Sequence, residues 1–269
     1  MIANVLSIAG TDPTGGAGIQ ADIKTISALG GYAMAVVTAV VAQNTREVKS
    51  YVAMDPGFVG EQLDAVFEDV RVDAVKIGMV ATARMVEVIA GRLRQYGAPN
   101  IVLDPVMVAT SGRRLLDPEG IQALRELLIP LATVVTPNLP EAEVLLGMNP
   151  VWSRQQMHTY AAGLLELGPA WVLLKGGHLD GDASIDVLCG QEGAVELTAP
   201  RIATRHGHGT GCALSSAIAT LLPSHTVEES ARGAKAFLHA ALAASGALQV
   251  GEGRGPVHHF HKHWPGPSG

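Results

Sequence analysis

Cysteine is nearly absent from this chain: Cys189 and Cys212 are the only two in 269 residues. Two cysteines give no disulfide framework. Aromatic residues are scarce, at 4%, and Lys and Arg (19) are outnumbered by Asp and Glu (25), for a net charge of −6. A nucleic-acid binder wants a basic surface and often stacking rings, so that class is set aside. No run of about 18 uninterrupted apolar residues occurs, and no membrane span is expected. The opening MIANVLSIAG lacks the charged start of a signal peptide and reads as a strand. A cytoplasmic enzyme is the expectation. Hydrophobic residues make up 48% of the chain and charged residues 16%, enough for one large core.

Short β-branched runs recur: VLSIAG, AVVTAVVAQ, AVKIGMV, NIVLDPVMV, TVVTPN, WVLLKGG and IDVLC. Several are almost wholly apolar, as strands covered on both faces must be. Amphipathic stretches such as PGFVGEQLDAVFEDV, TARMVEVIAGRLRQYG, PEGIQALRELLIP and SRQQMHTYAAGLLELG lie between them. This alternation predicts a mostly parallel central sheet between two helix layers. IDVLC and AVELTAP, with GQEG between, predict an antiparallel hairpin. Residues 1–264 read as a single domain and PGPSG, 265–269, as a disordered tail. Ligand sites of open α/β sheets lie at the carboxyl ends of strands. Five polar or Gly-rich clusters fall there: GTDPTGGAG, AQN, LDPVM, TPNLPE and KGGH.

GTGC, Gly209–Cys212, runs into an Ala- and Ser-rich helix. Bare amides at a helix start attract anions, through unpaired donors and the helix dipole. The plain alternative is a Gly-rich turn with a buried cysteine. GTDPTGGAGIQAD follows the first strand, and Gly16–Ala21 fits the dinucleotide pattern G-x-G-x-x-G/A. The loop is long for that turn, however, and Gln43 and Asn44 stand where an acidic ribose ligand is wanted. A substrate loop whose backbone approaches a ligand fits better than either a Rossmann turn or a purely structural turn. Asn138 and Glu141 of NLPE suit a phosphate with Mg²⁺, and equally suit helix capping. Lys175 ends a buried strand and needs an anion, either a phosphate or a structural carboxylate. VHHFHKH, at the end of the domain, offers no defined tetrahedral metal set, and Cys189 reads as core.

The ordered set SIAGTDPTGGAGIQADIKT, TAVVAQNT, VKIGMV, VLDPVM, TPNLPEAE, LLKGGH, HGTGC and GPVHHFH, spanning about Val5 to Trp264, resembles the hydroxymethylpyrimidine/phosphomethylpyrimidine kinases of the ribokinase-like superfamily. The resemblance implies a three-layer α/β/α fold and a homodimer. It implies an enzyme using ATP and Mg²⁺ to phosphorylate 4-amino-5-hydroxymethyl-2-methylpyrimidine and then its monophosphate, for thiamine biosynthesis. Gly10, Asp22 and Gln43 would then contact the pyrimidine, with Met79 and Val106 as apolar walls. Asn138, Lys175 and Thr210 would contact ATP phosphates, and Asp104 and Glu141 would place Mg²⁺. Gly209, Thr210 and Gly211 would form the anion hole. Cys212 stands where many sugar kinases of this superfamily carry a catalytic Asp. It is expected to guide the substrate hydroxyl and take its proton late. The rival readings are a pyridoxal/pyridoxine kinase, a non-catalytic pyrimidine-binding protein and, more distantly, a Rossmann oxidoreductase.

Overall fold

The computed structural model describes residues 1–107, 116–177 and 179–264. Val108, the tail 265–269 and His178 of the KGGH cluster lie outside the described residues. The β-branched runs form β1 (Asn4–Gly10), β2 (Tyr32–Gln43), β4 (Ala74–Ile77), β5 (Ile101–Leu103), β6 (Val134–Val135), β7 (Trp171–Lys175), β8 (Ala183–Gly190) and β9 (Gly193–Pro200). An additional strand, β3 (Val48–Ala53), was not expected. It pairs antiparallel with the end of β2. Its sequence VKSYVA mixes polar and apolar residues, and the strand lies on the sheet's edge, so it lacks the apolar run of a buried strand.

The described strands form one sheet in the order β3-β2-β1-β4-β5-β6-β7-β8-β9. The block from β2 to β7 is parallel, and β8 and β9 add the predicted antiparallel hairpin. One face is covered by α2 (Pro56–Phe67), α3 (Ala83–Gln95), α4 (Pro118–Ala123), α5 (Leu139–Leu146) and α6 (Arg154–Leu165). The other carries α1 (Gly18–Ala28), α7 (Thr210–Leu221) and α8 (Val227–Ala243). The expected three-layer ribokinase-like arrangement is what the chain adopts. Among the described residues, no helix is long and apolar enough to cross a membrane.

Strand alternation decides what each layer receives. Leu6, Ile8, Val75, Ile77, Ile101, Leu103, Val135, Val172 and Leu174 join the α2–α6 core. Their neighbours Val5, Ala74, Val102, Val134 and Leu173 join the α1/α7/α8 core. On this second face the next position along each strand is polar: Ser7, Lys76, Asp104, Thr136 and Lys175. The apolar floor therefore becomes a row of hydrogen-bonding and charged groups towards the carboxyl edge, under α1 and α7. That row positions the site.

Candidate active site

Charges taken out of water must be paired, and those of the floor are. Lys76 Nζ lies 2.8 Å from Asp22 Oδ2, with both side chains fully buried. Ser7 and Ser216 donate to the same carboxylate at 2.6 and 2.8 Å. Lys175 Nζ lies 2.9 Å from Asp104 Oδ1, and Thr136 Oγ1 donates to that oxygen at 3.2 Å. Of the two anions considered for Lys175, the structural carboxylate is present. Burial opposes the charge of Lys175, but Asp104 and Glu141 outweigh it and hold its pKa above the ordinary value.

The start of α7 sits directly above this second pair. Gly209 is its N-cap, in the left-handed region at φ 78°, and no side chain caps the first amides. A Cβ at Gly211 would stand 3.1 Å from Asp104 Oδ2 and 3.4 Å from Lys175 Nζ. Bare helix amides thus face a lysine–carboxylate pair across a gap only glycine leaves open. Cys212 follows. Burial pushes its thiol up to about 11, with Asp22 and Asp104 adding to the rise and Lys76 and a hydrogen bond from Gly18 N opposing it. At neutral pH the thiol is protonated. The helix dipole does not make it a thiolate.

Asn138 and Glu141 form a capping box at the start of α5. Asn138 N donates to Glu141 Oε2 at 2.8 Å, and Glu141 N donates to Asn138 Oδ1 at 2.9 Å. The capping reading is therefore realised, and it fixes both side chains beside Lys175, whose N–H donates to Pro137 O at 2.9 Å. Glu141 is 8% exposed. Burial pushes its pKa up to about 7, with Asp104 adding to the rise and Lys175 opposing it. Two carboxylates share one lysine here and lack positive charge.

At the far end of the same edge, Gly10, Met79 and Val106 come together. A Cβ at Gly10 would approach Met79 Sδ to 3.1 Å, and Met79 clusters with Ala39, Val41, Ala81 and Val106. Gln43 ends β2 at the rim of this apolar pocket and hydrogen-bonds to Asp12. Asp22 lies deeper, on the buried face of α1 and closed off from solvent.

Three functional features escaped the sequence reading. Asp12 is fully buried and fills the Gly-rich loop before α1. It accepts from Thr14 N and Oγ1, both at 2.8 Å, from Gly16 N at 3.1 Å and from Ala17 N at 2.8 Å. Burial works against its charge, but bonds from His208, Gln43 and Thr14 hold its pKa well below the carboxylate range. The loop expected to approach a substrate is filled by its own carboxylate. Lys76, a lysine inside the apolar run AVKIGMV, was a visible signal of buried pairing. The third feature is the segment 251–264, a strap and not a loose end. Its backbone bonds to Thr45 (Arg254 N to Thr45 O, 2.9 Å), His208 (His208 N to Gly255 O, 3.1 Å) and Ala241 (His258 N to Ala241 O, 3.0 Å). His263 Nε2 lies 2.9 Å from Ala28 O. His258 and His259 are buried in it, and no metal-holding group of three or more His, Cys, Asp or Glu exists among the described residues.

Uncapped helix amides over a half-buried lysine, at the carboxyl edge of a sheet of this topology, are the arrangement of a small-molecule kinase of ribokinase-like fold. A family model described as phosphomethylpyrimidine kinase matches residues 12–258. The hydroxymethylpyrimidine/phosphomethylpyrimidine kinase of Escherichia coli K12 is 52% identical over 262 residues, covering 97% of this chain and 98% of that protein. Among solved structures, the ADP complex of Bacillus subtilis pyridoxal kinase superposes with a TM-score of 0.91 at 36% identity, covering 98% of this chain and 100% of that one. The phosphomethylpyrimidine kinase of Clostridium difficile 630 gives 0.79 at 40% identity, covering 89% and 99%. The chain belongs to the phosphomethylpyrimidine kinase family. It is a phosphotransferase that uses ATP.

Proposed function

We propose that the protein phosphorylates 4-amino-5-hydroxymethyl-2-methylpyrimidine on its hydroxymethyl group and then converts the monophosphate to the diphosphate, both at this one site, for thiamine biosynthesis in the cytoplasm. The observation that carries this reading is the juxtaposition of the α7 amides with Lys175 at one end of the edge and the Gly10–Met79–Val106 pocket at the other. Phosphoryl transfer needs in-line positioning and neutralisation of charge more than covalent chemistry. The apolar pocket holds the ring. Gln43 offers a donor and an acceptor to the amino group and adjacent ring nitrogen. Asp22, fully buried, binds Ser7, Lys76 and Ser216 beneath α7 and takes a structural role there in place of the expected ring contact. The amides of Gly209, Thr210 and Gly211, with Lys175, receive the oxygens of the moving phosphoryl group. Asn138 lies beside Lys175 to steady the ATP phosphates.

The shortage of positive charge at Asp104 and Glu141 fits Mg²⁺, which binds through one or two carboxylates together with substrate phosphates. Those two residues would hold it, and it would supply positive charge against the substrate phosphates. Cys212 aims the hydroxyl. Its sulfur accepts the hydroxyl hydrogen bond, and a neutral thiol cannot take up a further proton. This revises the expected role of late proton acceptor. The proton stays on oxygen until the new P–O bond forms, as a loose transition state permits, and passes to an oxygen of the transferred group. Val40 and Val52, paired across β2 and β3, are 53% and 70% exposed. They support a homodimer joined through this edge.

The deciding experiment supplies Mg²⁺ and ATP with the free pyrimidine, its monophosphate or pyridoxal, and resolves the products. Sequential formation of pyrimidine mono- and diphosphate is expected. Turnover of pyridoxal alone would overturn the reading.

A further inference from the structure

The site is built on two glycine-rich loops, and a hydrogen bond from His208 to Asp12 joins them. His208 Nε2 lies 2.8 Å from Asp12 Oδ2, across 196 residues of sequence. An ionised carboxylate only accepts, so Nε2 is the donor and carries the hydrogen. The Asp12 carboxylate cannot shift alone, because Thr14, Gly16 and Ala17 all donate to it. His208 cannot shift alone either. Its N–H is bonded to Gly255 O at 3.1 Å, and its side chain is only 14% exposed. It immediately precedes Gly209, where the open amides begin.

Around the pair the two loops touch backbone to backbone. A Cβ at Gly209 would stand 1.8 Å from Gly16 O, and a Cβ at Gly16 would stand 2.6 Å from His208 Cδ2 and 3.0 Å from Pro256 Cβ. Glycine against glycine gives contact without interlocking side chains, so the loops can still slide over one another. The His208–Asp12 hydrogen bond is a directional side-chain contact at the loops themselves that opposes sliding, with Ser216 Oγ on Asp22 bracing the two helices beyond them. The Asp12 loop also leads from β1, whose last residue is Gly10, and Asp12 bonds Gln43. The pair thus connects the ring pocket to the anion hole.

We propose that the Asp12–His208 pair is a latch that sets the distance between the ring pocket and the anion hole, and that His208 is a positioning residue for phosphoryl transfer. The proposal rests on reading residues 209–211 as the anion hole. His208 acts through Gly209 and touches no reacting atom. A misplacement of about 1 Å in such a site costs about 10²-fold in rate.

The test compares His208→Leu, which fills the space without a donor, with His208→Gln, which keeps an N–H within reach of Asp12. His208→Leu is expected to lower kcat about 30- to 100-fold in both phosphorylations, with each KM within about threefold of the parent. His208→Gln is expected to recover to within about fivefold of the parent rate. Thermal unfolding is followed for every variant. Should the Leu variant fail to fold, His208→Asn, whose amide is one methylene too short to reach Asp12, takes its place with the same expectation. Equal losses in the donor-free and Gln variants overturn the latch, as does a loss expressed in KM alone. Gly211→Ala tests the anion hole separately. A silent Gly211→Ala overturns the anion-hole reading and the latch together. An impaired Gly211→Ala beside a donor-free His208 variant at the parent rate overturns the latch only.

Discussion

The loop before α1 and the loop before α7 share much. Each is glycine-rich, each leads into a helix on the same face of the sheet, and each presents backbone amides at the carboxyl edge. Yet one is capped by a carboxylate of its own and the other has no capping side chain. The carboxylate of Asp12 occupies the first, taking amides from Thr14, Gly16 and Ala17. The second has no capping side chain and opens onto Lys175 and Asp104. A phosphate approaching the first loop would meet a carboxylate already bound to its amides, and one approaching the second would meet free amides beside the Lys175–Asp104 pair. Glycine content alone does not define an anion site. The charge already present in the loop decides whether a ligand can enter.

The largest effect is expected from removing the charge that makes the open loop attractive. Lys175→Ala should lower the rate of both phosphorylations by about 10³-fold, the loss typical of a group stabilising transition-state charge. Single-turnover kinetics with each substrate measures this. If only one step suffers, the two transfers do not share a site.

Asp12→Gly would make the filled loop resemble the open one. Removing one partner of a buried pair costs about 3–5 kcal/mol, and here it also orphans several amides. Inorganic sulfate should restore part of that loss, whereas the parent gains little. Thermal melts in sulfate against chloride at matched ionic strength decide this. Equal sulfate stabilisation of parent and variant would contradict the difference drawn between the loops.

His259 stands close to the filled loop, with His208 and Lys24 among the charges acting on it. Burial, chiefly, lowers its pKa from 6.5 to about 4. A histidine with a depressed folded pKa binds fewer protons folded than unfolded. Stability is therefore lost as pH falls from about 6.5 towards 4, by up to about 3 kcal/mol for this residue. In His259→Gln that part of the acid destabilisation should vanish. Urea titrations at pH 6.5 and pH 4.5 read the difference, and parallel losses in parent and variant would remove His259 from the acid response.

Cys212 touches both loops, since its sulfur takes a hydrogen bond from Gly18 N while its backbone begins α7. Cys212→Ala leaves the amides in place and removes only the guiding sulfur. A fall in kcat of about 10²-fold is expected, at the low end of the acid–base range because the thiol is neutral. A variant within about threefold of the parent would reduce the cysteine to packing. The smallest effect belongs to Gln43→Ala, which should weaken the pyrimidine by about 1–3 kcal/mol and leave ATP affinity unchanged. Calorimetric titration of both ligands is the check, with unchanged pyrimidine affinity as the refuting result.

The sheet, its helix layers and its working edge were legible in the sequence because each rests on periodicity. Near-continuous apolar runs could only be two-sided strands, and polar clusters followed them at one end. β3 was not legible. A short edge strand with VKSYVA composition carries no burial signal. The site was half legible. Lys175 ends an apolar run, and GTGC precedes a helix, so each announces itself locally. Asp12 does not. Its role depends on His208, 196 residues away, and on a chain path that no local pattern encodes. The burial of His258 and His259 was not legible for a similar reason, since VHHFHKH looks polar until the fold covers it.

The strap also bears on when the enzyme becomes active during its own synthesis. Glu252 pairs with Arg46, Gly255 holds His208, and His263 reaches Ala28. Contacts of such sequence separation form late, because long loops must close before they are rewarded. A nascent chain can assemble β1, α1 and the central strands while still tethered to the ribosome. Its catalytic edge has to wait for residues 251–264 to emerge. Chains released early, before the strap, would carry a nearly complete sheet whose two glycine loops are unbraced from behind. Turnover therefore depends on residues 251–264 being in place.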